Sequence, residues 1–194
     1  SDVCSSDLDT DTVSIAQSIT VAELLKEKLT IPEYQRDYCW RTEDVIGMFS
    51  DISNFLNLNG LYHLGTVILK KAEASDAYEI IDGQQRLTTL AIWEYVVNKN
   101  NDIPLLKFGM KHKNPSIEAR NALLSAKQSI DAFDGKNAVD LNNVVLSVIV
   151  IGKEQPDDLA YTFFSNNNST GKRLSDFDLL KTHHLRYIKH EGTA

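Results

Sequence analysis

The run Tyr78-Glu79-Ile80-Ile81-Asp82-Gly83-Gln84-Gln85-Arg86-Leu87-Thr88-Thr89-Leu90 sets a carboxylate, a glycine, two carboxamides and a guanidinium side by side between apolar segments. Ile80 and Ile81 end a strand-like run, and Leu87, Leu90 and Ala91 resume at helical spacing, so the pattern predicts a buried strand, a polar turn and a helix from Leu87. A turn that opens a helix gathers backbone N–H groups and the positive end of the helix dipole at one point, which suits an anion. The competing reading is a plain strand–turn–helix corner. The spacing is not that of a Walker loop and there is no GxGxxG, so neither of those nucleotide folds is indicated.

Two other stretches carry dense polar chemistry. Glu33-Tyr34-Gln35-Arg36-Asp37-Tyr38-Cys39-Trp40-Arg41 mixes aromatic and charged residues. It reads equally as a surface loop anchored by its aromatics or as a second wall of a polar pocket, with Gln35 and Arg36 as donors. The planar, always-charged guanidinium matches phosphate oxygens. Asn166-Asn167-Asn168-Ser169-Thr170-Gly171 favours a tight loop rich in local hydrogen bonds. His183, His184 and His190 do not make a metal site: neighbours on a helix point about 100° apart, and His183 and His190 are separated by about 10 Å along the axis. His63, alone beside an apolar strand, reads as structural.

The elements that must position these residues follow from periodicity. An extended segment from Val13 leads into a helix near Thr20, its N-cap. Leu29-Thr30-Ile31-Pro32 is an edge strand, because proline donates nothing to a ladder. A helix runs from Thr42, its expected N-cap, to about Leu58, with Val45, Met48, Phe49, Ile52 and Leu56 as its core stripe. Leu64 to Lys70 and Ala77 to Ile81 form a hairpin, and the helix after the turn runs from Leu87 to about Asn98. Leu105 to Met110 is assigned as a strand. Ser116 caps a helix reaching Phe133, Asp134 to Asp140 is a loop, and Val144 to Ile151 is a β-branched strand. Two further helices, about Asp157 to Ser165 and Asp176 to His190, close the chain.

With 194 residues there is room for one well-buried core and a helical extension. The net charge of -7 argues against broad, non-specific nucleic-acid binding, which needs a basic face. Cys4 and Cys39 make no disulfide framework or metal pattern, so a reducing cytoplasm is the expected location. No apolar run approaches the roughly 20 residues of a membrane span. Residues 1–11 read as a disordered tail or assembly scar, and 12–194 as a single domain with a core over about 19–155 and a helical extension over about 156–194.

Three segments together carry a resemblance: Ile31 to Trp40, Asp82 to Leu90, and Phe164 to Lys181. In order and spacing they resemble the DUF262 domain, the N-terminal part of GmrSD-type modification-dependent restriction proteins and related phage-defence proteins, over roughly Ile19 to Tyr187. The resemblance implies an α+β fold similar to ParB and sulfiredoxin: a small mixed sheet flanked by helices, with a C-terminal helical extension. It implies nucleoside triphosphate binding and hydrolysis that regulates DNA cleavage, with Mg²⁺ as the companion ion. Carried onto this chain, Asp82, Gln84, Gln85 and Arg86 are the catalytic set, with Asp82 also the metal ligand. Gln35, Arg36, Gly83, Thr88, Asn168 and Gly171 are the nucleotide-binding set. Across the two sets, Arg86 and Arg36 would neutralise phosphate oxygens, Gln84 or Gln85 would orient water, Asp82 would hold Mg²⁺ or act as base, and Gly83 would admit the ligand to the backbone. The alternative is a ParB-like module that senses a nucleotide or modified DNA without turnover.

This chain departs from the family pattern in two respects. It shows no His-Asn-His nuclease constellation, so DNA would be reached through a missing nuclease domain or a partner subunit, and the chain is expected to be a truncated fragment or a stand-alone regulatory domain. The Asn166-Asn167-Asn168 triplet also differs from the usual family residues before the asparagine. Phe177, Leu180, Tyr187 and Ile188 of the last helix are expected to leave an apolar face suited to homodimerisation.

Overall fold

Thr20 closes the first strand and opens the first helix. Its Oγ1 accepts from the Glu23 amide at 3.2 Å, while the Glu23 carboxylate accepts from the Thr20 amide at 3.4 Å. This reciprocal pairing satisfies two amides that a helix start leaves without partners. In the structure, a computed structural model, the residues described are 15–32, 35–57, 60–72, 75–109 and 115–152. They comprise strand β1 (Ile15–Thr20), helix α1 (Val21–Leu24), β2 (Leu29–Thr30), α2 (Thr42–Leu56), β3 (Tyr62–Lys71), β4 (Tyr78–Asp82), α3 (Gln84–Val96), α4 (Ile117–Ala132) and β5 (Val144–Ile151).

The strands form one mixed sheet in the order β1-β5-β3-β4-β2. β1 runs antiparallel to β5 and β4 antiparallel to β3, whereas β3 with β5 and β2 with β4 are parallel pairs. The fold is α+β, as the resemblance implies. Side chains alternate across the strands. Val67, Leu69, Ile80, Val148 and Val150 join the core built with the helices, while Ile68, Ile81, Ile149 and Ile151 form a second buried cluster. Phe49 of α2 stacks on Trp93 of α3 with ring centroids 4.1 Å apart, and Phe133 closes on both rings at 6.2–6.3 Å. That aromatic cluster seats α3 between the sheet and its neighbouring helices. Among the described residues no helix is long and apolar enough to cross a membrane.

Several expected boundaries move. The N-cap of α2 is Arg41, not Thr42; the Arg41 amide donates to the Asp44 carboxylate at 2.9 Å. Leu105–Gly109 is a single π-helical turn rather than a strand. Its apolar run is too short for periodicity to distinguish the two. Asp134–Ala138 is a 3₁₀ turn within the expected loop, and Leu141–Asn143 is a second one just beyond it. The largest change for the site is that α3 begins at Gln84, three residues before Leu87, so Gln84, Gln85 and Arg86 are its first turn. The edge strand at Leu29, the β3–β4 hairpin, the Ser116 cap and the Val144–Ile151 strand stand as expected. The two C-terminal helices, the three histidines after residue 180 and the dimer face lie outside the described residues.

Candidate functional site

Gly83 makes the corner between β4 and α3. Its φ of 94° and ψ of 7° are left-handed, a conformation that side-chain-bearing residues adopt at a cost. A Cβ at this position would lie 2.5 Å from Val67 Cγ1, so the turn also needs glycine for space. The Leu87 amide donates to the Gly83 carbonyl at 2.9 Å, the first bond of the helical ladder. The amides before it project from the helix end, where the dipole is positive.

The next three side chains each grip backbone. Gln84 Nε2 donates to the Arg36 carbonyl at 2.9 Å. Gln85 Nε2 donates to the Asp37 carbonyl at 3.3 Å, and its Oε1 accepts from the Cys39 amide at 2.9 Å. Both carboxamides are buried. Arg86 crosses to β3, where Nη1 donates to the Leu64 carbonyl at 3.3 Å and Nη2 to the Thr66 carbonyl. Its Nη2 also lies 3.8 Å from the Asp82 carboxylate. From the other side, Gln35 Nε2 donates to the Ile81 carbonyl at 2.8 Å. The 35–39 loop is thus stitched to the β4–α3 corner, and Arg36 sits on it with its side chain exposed.

The 35–39 loop therefore lies against the turn, which brings Gln35, Arg36, Asp82, Gly83, Gln84, Gln85 and Arg86 to one place. Thr88 is elsewhere in kind; it is fully enclosed one turn into α3, and its Oγ1 has no hydrogen-bond partner among the described residues. A hydroxyl enclosed without a partner is destabilising. Thr88→Val is expected to raise unfolding free energy by roughly 1 kcal/mol, measured by urea denaturation. Asn168 and Gly171 lie outside the described residues.

Three participants have no counterpart in the sequence-derived set. Gly65 has φ 113°, and a Cβ there would meet Arg86 Nη1 at 2.9 Å, so it clears the path of the guanidinium. The available signal was an isolated glycine inside a strand, which marks a bulge or a close approach; the β3–β5 register does shift between His63 and Thr66. Tyr38 and Thr89 are the others. The phenol and Thr89 Oγ1 are 2.7 Å apart, and Thr89 donates onward to the Gln85 carbonyl at 2.8 Å, so the phenol is the donor of that pair. Burial pushes the Tyr38 phenol up to about 12. The folded state then holds this proton more tightly than the unfolded chain, whose tyrosines titrate near 10. The stabilisation is complete below pH 10 and is lost as pH rises towards 12. Tyr38→Phe is expected to cost about 1 kcal/mol at pH 7 and to flatten stability between pH 10 and 12, read from denaturation midpoints.

The model of the GmrSD restriction endonuclease N-terminal domain matches residues 21–185. The chain belongs to this family. No curated protein matches it. The GmrSD_N match spans the first two motif stretches and α1 through β5, and so includes every element that positions the corner. Among the described residues no group of three His, Cys, Asp or Glu is placed to hold a metal ion. At this corner the Asp82 carboxylate is partly exposed beside Arg86.

Proposed function

We propose that this GmrSD N-terminal domain binds a nucleoside triphosphate with Mg²⁺ at the start of α3 and hydrolyses it, as a switch on DNA restriction. The observation that carries this reading is the left-handed Gly83 opening a helix whose first turn carries Arg86, with Asp82 just before it and the Arg36 backbone bonded to Gln84. Helix-end amides and the exposed Arg36 guanidinium would supply the charge stabilisation that phosphoryl transfer mostly consists of. Arg86, held by the Leu64 and Thr66 carbonyls, fixes a positive charge beside Asp82. Asp82 fits the ion, since Mg²⁺ is typically held by one or two carboxylates together with substrate phosphates and water. Bound there, Mg²⁺ would neutralise phosphate charge. As the base, Asp82 would take a proton from the attacking water, which breaks the terminal phosphoanhydride to give the nucleoside diphosphate and inorganic phosphate.

Gln84 and Gln85 take a different role from water orientation in this reading. Their carboxamides are engaged with the loop, so they hold Arg36 beside the phosphates. DNA contact belongs to a nuclease part or partner subunit, and a second copy of the chain is a candidate partner. Phosphate release from the four nucleoside triphosphates, measured beside equilibrium binding, tests the proposal. Turnover that Asp82→Asn removes while binding persists supports it. Tight binding without turnover in the unaltered protein establishes the sensing module instead, and no binding overturns both.

A further inference from the structure

Gln84 has a second surface. Along the α3 face that starts with it, a cleft of about 360 Å³ passes Ile92 and reaches Tyr95. These positions fall on one helical stripe, and eleven residues of helix span about 16 Å. The cleft is mainly apolar, with polar groups at both ends: Asp37 and Gln84 beside the α3 start, Lys127 beside Tyr95. Tyr38, Leu106 and Leu123 line its sides. Asp37 also accepts from the Ser116 amide at 3.3 Å, which joins the loop to the start of α4 across the cleft. At the far end Tyr95 is 42% exposed, and Lys127 Nζ stands 5.5 Å from its ring centroid.

We infer that this cleft receives the nucleoside, sugar and base, of the triphosphate whose phosphates sit at the start of α3. The inference rests on the proposed function and adds where specificity is read. Three observations carry it. The cleft is lined by Gln84, Asp37 and Tyr38, and Gln84 and the 36–37 carbonyls also tie the loop to the phosphate corner, so the two adjoin at the α3 start. The volume lies at the small end of ligand pockets, which suits a single nucleoside. The walls combine apolar side chains and the exposed Tyr95 ring, against which a base stacks, with carboxylate and carboxamide oxygens that accept from amino or hydroxyl groups.

Calorimetry with Mg²⁺ and each nucleoside triphosphate, run beside inorganic tripolyphosphate, separates the two halves of the site. Leu123→Trp fills the cleft from α4 without touching the Gly83 corner. It is expected to weaken nucleoside triphosphate binding roughly tenfold or more and to leave tripolyphosphate within about twofold. Tyr95→Ala, at an exposed position, removes a stacking surface; it is expected to act in the same direction and decides the matter if Leu123→Trp does not fold. Equal loss for both ligands, or no loss for the nucleotide, overturns the nucleoside cleft while leaving the phosphate site standing. An unaltered protein that binds tripolyphosphate no more weakly than any nucleotide overturns the cleft as well. An unaltered protein that binds neither overturns both readings.

Discussion

Arg86→Ala is expected to lower unfolding free energy by roughly 3 kcal/mol and to abolish nucleotide binding in the fraction that remains folded. The guanidinium donates to two β3 carbonyls, Leu64 and Thr66, at the place where the ladder with β5 shifts register. A bulge leaves backbone groups out of the ladder, and such groups need another partner. Alanine removes that partner. The Asp82 contact at 3.8 Å is partly exposed and contributes little to this figure. Arg86→Lys keeps the charge but has no planar fork to serve two carbonyls at once. It should therefore recover part of the binding and little of the stability. Urea midpoints at unchanged m-value, with calorimetric titration at low temperature, measure the two effects separately. An unchanged midpoint for the alanine variant would show that the Leu64 and Thr66 contacts are dispensable.

The corner was legible in its residue types and less so in its geometry. Asp82 through Arg86 stand out because five polar or glycine residues between apolar runs serve no obvious core. Yet the start of α3 was placed at Leu87, the first apolar position. The reason is physical. Gln84 and Gln85 are buried not by hydrophobic contact but by carbonyls of the 36–37 segment, some 48 residues away in the chain. Hydrophobic periodicity registers apolar burial and is silent on polar burial. The same blindness hid Gly65, whose purpose depends on a side chain from another element. By contrast Val144–Ile151 and the Ser116 cap were readable, since β-propensity and capping are set by residues adjacent in sequence. The closeness of the 35–39 loop to the turn followed from the family resemblance rather than from residue pattern. The structure supplies its cause: three glutamines, Gln35, Gln84 and Gln85, each bonded to backbone across the gap.

Gly83→Ala should be at least as damaging, at roughly 3–4 kcal/mol, and for two separable reasons. Holding an alanine in the left-handed region costs about 1–2 kcal/mol. Its Cβ would also stand 2.5 Å from Val67 Cγ1 and 3.2 Å from Val67 Cβ, and such overpacking typically costs about 1–3 kcal/mol. Val67 cannot withdraw: it is fully buried in β3, which lies between β4 and β5 at the centre of the sheet. A double-mutant cycle with Val67→Ala divides the two contributions. Alone, Val67→Ala opens a cavity and destabilises; combined with Gly83→Ala it removes the 2.5 Å clash with Cγ1 and leaves only the tight contact with Cβ. The double variant should thus be more stable than the sum of the single losses by about 1 kcal/mol or more, leaving the backbone term behind. Additive losses would mean that the turn shifts to avoid Val67. Nucleotide binding distinguishes that outcome further, because a shifted turn moves the first amides of α3 even where the protein remains folded. If the phosphates depend on those amides, binding is lost in Gly83→Ala and is not restored by Val67→Ala unless the left-handed turn itself is kept.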